Sequence, residues 1–121
     1  MASTVVNVKV KYIRPKYSNL QEWIADSKNI YIGRRGIIIL EKKRFPESNS
    51  IFCNPYKIGK DGTREDVLMK YENYIREKLA NSSSFCDEFK KLKGKTLGCW
   101  CKPERCHGDI LLQIINERTD V

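Results

Sequence analysis

Three cysteines and the chain's single histidine lie within residues 99–107. The spacing C-x-C-x4-C-H supplies thiolate and imidazole groups, which are the ligands that zinc prefers in proteins. If Cys99 and Cys101 lie in a strand, their side chains face the same side. Cys106 and His107 then begin the last predicted helix, where the free amides and the helix dipole favour a thiolate at Cys106. The spacing therefore predicts a zinc site with Cys99, Cys101, Cys106 and His107 as ligands.

Alternatives to this ligand set stay open. Adjacent residues do not easily reach one metal ion, so Cys53 is a second candidate for the fourth ligand in place of His107. Without metal, the cluster is either a reactive thiol site or a group of packed thiols, because free cysteine is among the most buried residue types. In an enzyme, Cys106 or a metal-bound water would act on the substrate, with His107 and Asp109 as acid or base.

A second group of candidates surrounds a glycine-bearing turn that leads into a predicted helix. Free amides at helix starts bind phosphate, so this turn predicts one side of a nucleotide pocket opposite the cysteines. The candidate ligand-binding residues are Arg34, Asn54, Gly59, Gly62, Thr63 and Arg64. The alternative is a turn that is stabilised only by its own helix cap.

The elements that would position these residues alternate between strands and helices. The patterns predict strands near residues 5–10, 29–33, 37–40 and 95–101, and helices near 18–24, 63–80, 83–94 and 108–118. The segment 37–40 is wholly apolar and is expected to be buried. The alternation predicts an α/β fold, a small single-domain layered sheet with helices packed on it, over residues 1–121.

The net charge of +8 is confined to the first half of the chain. Residues 1–60 carry 12 Lys and Arg against 4 Asp and Glu, whereas residues 61–121 carry 11 of each. An asymmetry of this kind favours a polyanionic partner. The run Lys42, Lys43 and Arg44 is the candidate nucleic-acid contact. The alternative is a solvated face that keeps the protein in solution.

The composition limits the compartment and the class of protein. With 40% hydrophobic and 31% charged residues, the chain is typical of a globular domain. Its apolar runs are far shorter than the ~20 residues of a membrane span, so no membrane partner is expected. The first residues lack the pattern of a signal peptide. The five cysteines are then expected to be thiols or metal ligands in a reducing compartment, the cytoplasm or nucleus.

Several segments together resemble one known family. The segment 95–103 reads KTLGCWCKP and the segment 106–109 reads CHGD; the others are YIGR at 31–34, NPY at 54–56 and IGKDGTRE at 58–65. This signature is similar to that of a small family of uncharacterised domains in phages, bacteria and large DNA viruses, domain of unknown function family 4326. The resemblance implies an α/β fold and a functional Cys/His site, but no activity. The family joins its Gly-Arg and Asn-Pro segments directly, so residues 36–50 are expected to form an exposed insertion.

Three functions from different classes are compatible with these patterns. The first is a basic intracellular domain, stabilised by zinc, that binds a nucleotide or nucleic acid. The second is an enzyme that acts on a nucleotide-like substrate through Cys106 and His107 or through a metal-bound water. The third is a basic viral packaging or adaptor protein, associated with the virion, that uses charge alone. A metal with four protein ligands favours the first, and an open coordination position favours the second.

Overall fold

The computed structural model describes residues 3–102 and 104–118. Along them the elements follow in the order β1 (Thr4–Asn7), α1 (Val10–Ile13), α2 (Leu20–Ala25), β2 (Asn29–Tyr31), β3 (Ile38–Leu40), β4 (Lys43–Phe45), α3 (Arg64–Asn81), α4 (Ser83–Lys90), β5 (Thr96–Cys99) and α5 (His107–Glu117). Strands β1, β5 and β2 form a parallel sheet in that order, and β3 and β4 form a separate antiparallel pair. The predicted α/β class is confirmed.

Strand β5 lies at the centre of the parallel sheet. Leu97 is in register with Val5 of β1 on one side and with Ile30 of β2 on the other. The next residue, Gly98, has to lack a side chain, because a Cβ there would collide with Trp23 and with a neighbouring valine. Close packing therefore fixes the carboxyl end of β5, where the cysteine segment begins, in the middle of the sheet.

Apolar side chains cover both faces of the sheet. On one face, Leu97 and Cys99 join a cluster that contains the buried residues of α3, α4 and α5. On the other face, Trp23 and Leu20 of α2 pack with Tyr31 of β2. The layers hold the sheet from both sides, so the ends of its strands have defined positions.

Helix α3 begins where the sequence predicts. Thr63 accepts a hydrogen bond from the amide of Asp66, and the Asp66 carboxylate accepts one from the amide of Thr63. This reciprocal capping satisfies two amides that the helix itself leaves without partners. The buried residues of α3 are Val67, Leu68, Tyr71, Ile75 and Leu79. The helix predicted near residues 63–80 is confirmed.

Within residues 36–50, the strand predicted over 37–40 differs from its prediction. Residues 38–40 do form a strand, β3, but it pairs only with β4. Ile39 is 68% exposed and Ile37 is 45% exposed, so the prediction of a buried strand is wrong. Ile38 and Phe45 pack against the cluster around Trp23, which leaves Ile39 exposed. An apolar run does not by itself show that both faces of a strand are covered.

Helix α3, with 18 residues, is the longest helix that the structure describes, and charged residues occur along its length. Nowhere in residues 3–102 and 104–118 is a helix both long enough and apolar enough to span a bilayer.

Candidate ligand cavity and thiol pair

A cavity of about 460 Å³ lies beyond the carboxyl ends of β2 and β5. Its wall includes Gly33 and Arg34 after β2, and Trp100 and Cys101 after β5. The first turns of α3 and α5 form the opposite side. In open α/β sheets, ligands bind outside the carboxyl ends of the strands. The cavity therefore occupies the position where this class of fold holds its ligands.

The cavity wall is positively charged. Arg34, Lys57 and Arg64 line it, and among the residues that the structure describes no Asp or Glu does. The rest of the wall is largely apolar; its members include Ile37, Ile58, Val67, Leu68, Tyr56 and Trp100. A wall with cations and no counter-charge favours an anionic ligand.

A chain of hydrogen bonds fixes Arg34. The indole of Trp100 donates to the hydroxyl of Tyr31 at 2.8 Å, and this hydroxyl donates to the Arg34 carbonyl at 2.7 Å. The Arg34 guanidinium donates to the carbonyls of Asn54 and Tyr56. These partners are all uncharged, and within the described residues Arg34 forms no ion pair. Its positive charge therefore stays uncompensated at the cavity wall.

Arg64, at the start of α3, is positioned in the same manner. Its guanidinium donates to the carbonyl of Arg105 at 2.8 Å, so a backbone oxygen rather than a carboxylate holds it. The nearby Glu65 is bound instead to the side chain of Arg105 at 2.9 Å. The contact connects α3 to the segment before α5.

Cys99 and Cys106 form a pair of buried thiols. Their sulfur atoms lie 3.2 Å apart, which joins the end of β5 to the start of α5. The pKa of Cys99 falls to about 6, first because Cys106 donates a hydrogen bond to its sulfur and then because the amides of Cys101 and Lys102 do so. The pKa of Cys106 is raised, because it holds the shared proton and is buried. The two thiols therefore share one proton, which the amides of Cys101 and Lys102 favour on Cys106 and which either sulfur can donate to the other.

His107 is partly buried, and its imidazole is in the neutral form near pH 7. Burial lowers the pKa of its imidazole, and Nε2 lies 2.7 Å from the carbonyl oxygen of Ile32. A carbonyl only accepts, so Nε2 carries the proton and Nδ1 of the neutral ring does not. The ring packs edge-on against Tyr71, with the centroids 5.2 Å apart. His107 lines the cavity as an oriented imidazole with one unprotonated nitrogen.

Asp109 has partners of its own. Its Oδ2 accepts a hydrogen bond from the amide of Cys106 at 2.9 Å, and its Oδ1 pairs with the ammonium of Lys102. The carboxylate therefore closes the first turn of α5 and does not line the cavity.

The structure brings together part of the predicted zinc ligand set. Cys99 and Cys106 are in contact, whereas Cys101 and His107 line the cavity without joining them. Strand β5 ends at Cys99, so the alternation that would aim Cys101 alongside it stops there. In the parts of the chain that are described, no three His, Cys, Asp or Glu side chains form a metal-binding group, and Cys53 adds none. Zinc stays a prediction from the sequence.

The predicted ligand-binding residues separate into two groups. Arg34, Asn54 and Arg64 line the cavity. Gly59, Gly62 and Thr63 do not: the amide of Gly59 donates to the Gly62 carbonyl, and Thr63 caps α3. Trp100, Tyr56 and Lys57 line the cavity and were absent from the predicted set. These residues come together because of where β5 ends and how the loop after Asn54 folds. The hydrophobic periodicity of the sequence predicts neither feature.

The basic run lies apart from the cavity. Lys42, with a positive φ of 68°, is in the turn between β3 and β4, and Lys43 begins β4. Arg44 is exposed as well, and its guanidinium donates to the Gly36 carbonyl at 2.9 Å. The hairpin therefore presents these charges to solvent at its tip.

Together, the fold and the cavity define a small α/β domain with a cationic, ligand-sized cavity at the carboxyl edge of a parallel sheet. The model of one family, described as "Domain of unknown function (DUF4326)", matches residues 16–117. The chain belongs to this family, as its motifs predicted.

Two viral relatives are similar to the chain. An uncharacterized protein of Acanthamoeba polyphaga mimivirus, R718, is 33% identical over 99 residues, which cover 75% of this chain and 69% of that protein. The uncharacterized 12.4 kDa protein in the nrdA-td intergenic region of Enterobacteria phage T4 is 35% identical over 60 residues. That match spans 49% of this chain and a little over half, 56%, of the phage protein. No solved structure matches the chain.

Proposed function

We propose that the cavity binds a small phosphorylated ligand of the mononucleotide class. The observation that carries this proposal is the set of three cations, Arg34, Lys57 and Arg64, with no carboxylate among the described residues of the wall. A phosphate group compensates these charges through charge-assisted hydrogen bonds, and a guanidinium can contact two of its oxygens at once. The amide ends of α3 and α5 at the same cavity add to the positive potential.

The size and the apolar part of the wall support a ligand that also carries a ring. A volume of about 460 Å³ lies within the range of ligand cavities, ~300–1,000 Å³. Inorganic phosphate alone would leave most of this volume empty. Trp100 and Tyr56 supply aromatic surface, and Ile37 and Ile58 supply aliphatic surface. A nucleobase has the flat apolar faces that such a wall accommodates.

Calorimetric titration with AMP, adenosine and inorganic phosphate tests the proposal. AMP is expected to bind most tightly, because it alone uses both the cationic and the apolar wall. Arg64→Gln removes one charge and is expected to weaken AMP binding about tenfold, as for a hydrogen bond to a charged group. Arg35→Gln is the matched control, since Arg35 is exposed and does not line this cavity. Equal weakening in both variants, or no AMP binding by the wild type, would contradict the proposal.

The state of His107 favours an enzyme as a second candidate function. An unprotonated imidazole nitrogen at the cavity wall is suited to general-base catalysis, and Cys106 beside it would become a nucleophile once its proton passes to Cys99. Chromatography of nucleotides incubated with the protein tests this function. Any turnover of a nucleotide is expected to fall at least about a hundredfold in Cys106→Ser, the usual scale for loss of a participating group. Turnover that survives this substitution would exclude Cys106 as the nucleophile.

The five cysteines of the chain are free thiols. This supports a protein of the cytoplasm or nucleus, where thiols stay reduced. The exposed charges at the hairpin tip support a contact with nucleic acid, which would also suit a viral packaging or adaptor protein.

A further inference from the structure

We propose that Cys99 and Cys106 form a redox-active dithiol, which hydroperoxides that enter the cavity oxidise to an intrachain disulfide. The proposal depends on the position of the two sulfurs and not on what else the cavity binds. It concerns the pair as a unit, because in the described chain no third cysteine is hydrogen-bonded to either sulfur.

The separation of the sulfurs supports the reaction. At 3.2 Å, they are about 1.2 Å farther apart than the ~2.05 Å of a disulfide bond. Cys99 ends β5 and Cys106 precedes α5, and the described residues between them, 100–102 and 104–105, belong to no helix or strand. A small rotation of the two side chains would bring the sulfurs into bonding distance.

Access to the pair is limited to one side. Cys106 is only 2% exposed, but it lines the cavity, whereas Cys99 lies behind it and is fully buried. A small oxidant can therefore reach the Cys106 sulfur through the cavity. A bulky thiol reagent at the outer surface cannot reach Cys99. This arrangement makes Cys106 the attacking residue and Cys99 the resolving residue.

The chemistry balances with a hydroperoxide as the oxidant. The shared proton first passes from Cys106 to Cys99 along the hydrogen bond between the two sulfurs. The Cys106 thiolate then attacks the distal peroxide oxygen, the O–O bond breaks, and the leaving oxygen takes a proton from solvent to become water or an alcohol; Cys106 is then a sulfenic acid. The Cys99 sulfur attacks the Cys106 sulfur, an S–S bond forms, and hydroxide leaves as water with the proton of the pair. The two cysteines are oxidised by two electrons, and the peroxide is reduced.

Peptide mapping after peroxide treatment of the purified protein tests the proposal. Cleavage after Arg105 separates the peptide that contains Cys99 from the one that contains Cys106. A disulfide therefore links two peptides, and the product is two hydrogens lighter than the reduced pair. We expect this linked species to accumulate, to disappear after reduction by dithiothreitol, and to form also in Cys101→Ser and in Cys86→Ser.

Three results would overturn the proposal. One is free thiols at both positions after peroxide treatment of the folded protein. Another is a link that requires Cys101 and is lost in Cys101→Ser. The third is oxidation of Cys106 to sulfinic acid with no linked species. Each of these results can be observed while Cys99 and Cys106 are both intact. The test therefore does not depend on a variant of either cysteine that fails to fold.

Discussion

His107 shows how the surroundings of one residue decide what it can do. The sequence places it among zinc ligands, and the structure places its Nε2 on the Ile32 carbonyl. Ile32 follows β2 and lies 75 residues before His107 in the chain, so local sequence patterns do not predict this contact. Cys99 and Cys106 were predicted to converge, and they do. Cys101 was predicted to join them and does not, because β5 is shorter than its apolar pattern indicates.

The lowered pKa of His107 has a consequence for stability. The unfolded chain binds a proton at this residue near pH 6.5, whereas burial keeps the native imidazole neutral to lower pH. The unfolded state then holds more protons, so the free energy of unfolding falls as the pH drops below about 6.5. His107→Gln, which lacks the titration, is expected to lose less stability over this range in denaturant unfolding.

The imidazole resonances measured by NMR give an independent check of this prediction. They are expected to titrate below pH 6.5, the ordinary value for histidine. A midpoint at or above that value would show that the ring is solvated and not held by the Ile32 carbonyl.

At the scale of elements, α3 was the most predictable part of the chain. Its cap and its buried face are both local, so the sequence contains them. The hairpin of β3 and β4 was less predictable. Its apolar residues resemble those of a buried strand, and only the fold shows that Ile38 packs against the core while Ile39 is exposed.

Thr63 tests whether the turn before α3 binds a ligand or only caps the helix. In the structure it caps α3 and lies outside the cavity wall. Thr63→Ala is expected to reduce the free energy of unfolding by about 1 kcal/mol, the usual cost of losing such a cap. Thr63→Ser, which keeps the hydroxyl, should restore most of this loss. AMP affinity is expected to be unchanged in both variants. A tenfold loss of AMP affinity in Thr63→Ala alone would show that the Thr63 hydroxyl contacts the ligand.

The hairpin tip tests the contact with nucleic acid. Replacing Lys42, Lys43 and Arg44 by alanine removes exposed charges and is expected to weaken binding to DNA or RNA and to reduce its salt dependence. The matched control replaces Lys90, Lys91 and Lys95 by alanine, outside the basic half of the chain. Fluorescence anisotropy at several salt concentrations measures both variants. If both triple variants weaken binding equally, or if the wild type binds no nucleic acid at low salt, the hairpin charges do not form a nucleic-acid contact.

At the scale of the whole molecule, the sequence contained the class of fold and the family. It did not contain the cavity, because the wall combines the ends of two strands, the starts of two helices and a loop. The sequence predicted most of these strands and helices one by one. Only the strand order β1-β5-β2 places their ends next to each other.

Zinc would act on the whole molecule, because metal binding by a small domain is coupled to its folding. The sequence predicts that a chelator lowers the melting temperature and that added zinc restores it. Cys101→Ser should abolish binding, and Cys86→Ser should not; His107→Ala and Cys53→Ser distinguish the candidates for the fourth ligand. Metal analysis of protein purified without chelator measures the stoichiometry. Absence of stoichiometric zinc would contradict this prediction, whereas zinc held by Cys99 and Cys106 would contradict the dithiol proposal.

The two tryptophans of the chain make the binding of a mononucleotide in the cavity directly measurable. Trp100 lines the cavity and donates from its indole to Tyr31, whereas Trp23 lies buried in the cluster on the other face of the sheet. In a titration of isotope-labelled protein with AMP, followed by NMR, the Trp100 indole resonance is expected to shift with the amides of Gly33 and His107. The Trp23 indole should move little. Saturating AMP that leaves the Trp100 indole unchanged, or that shifts only residues of the hairpin 38–45, would contradict the account.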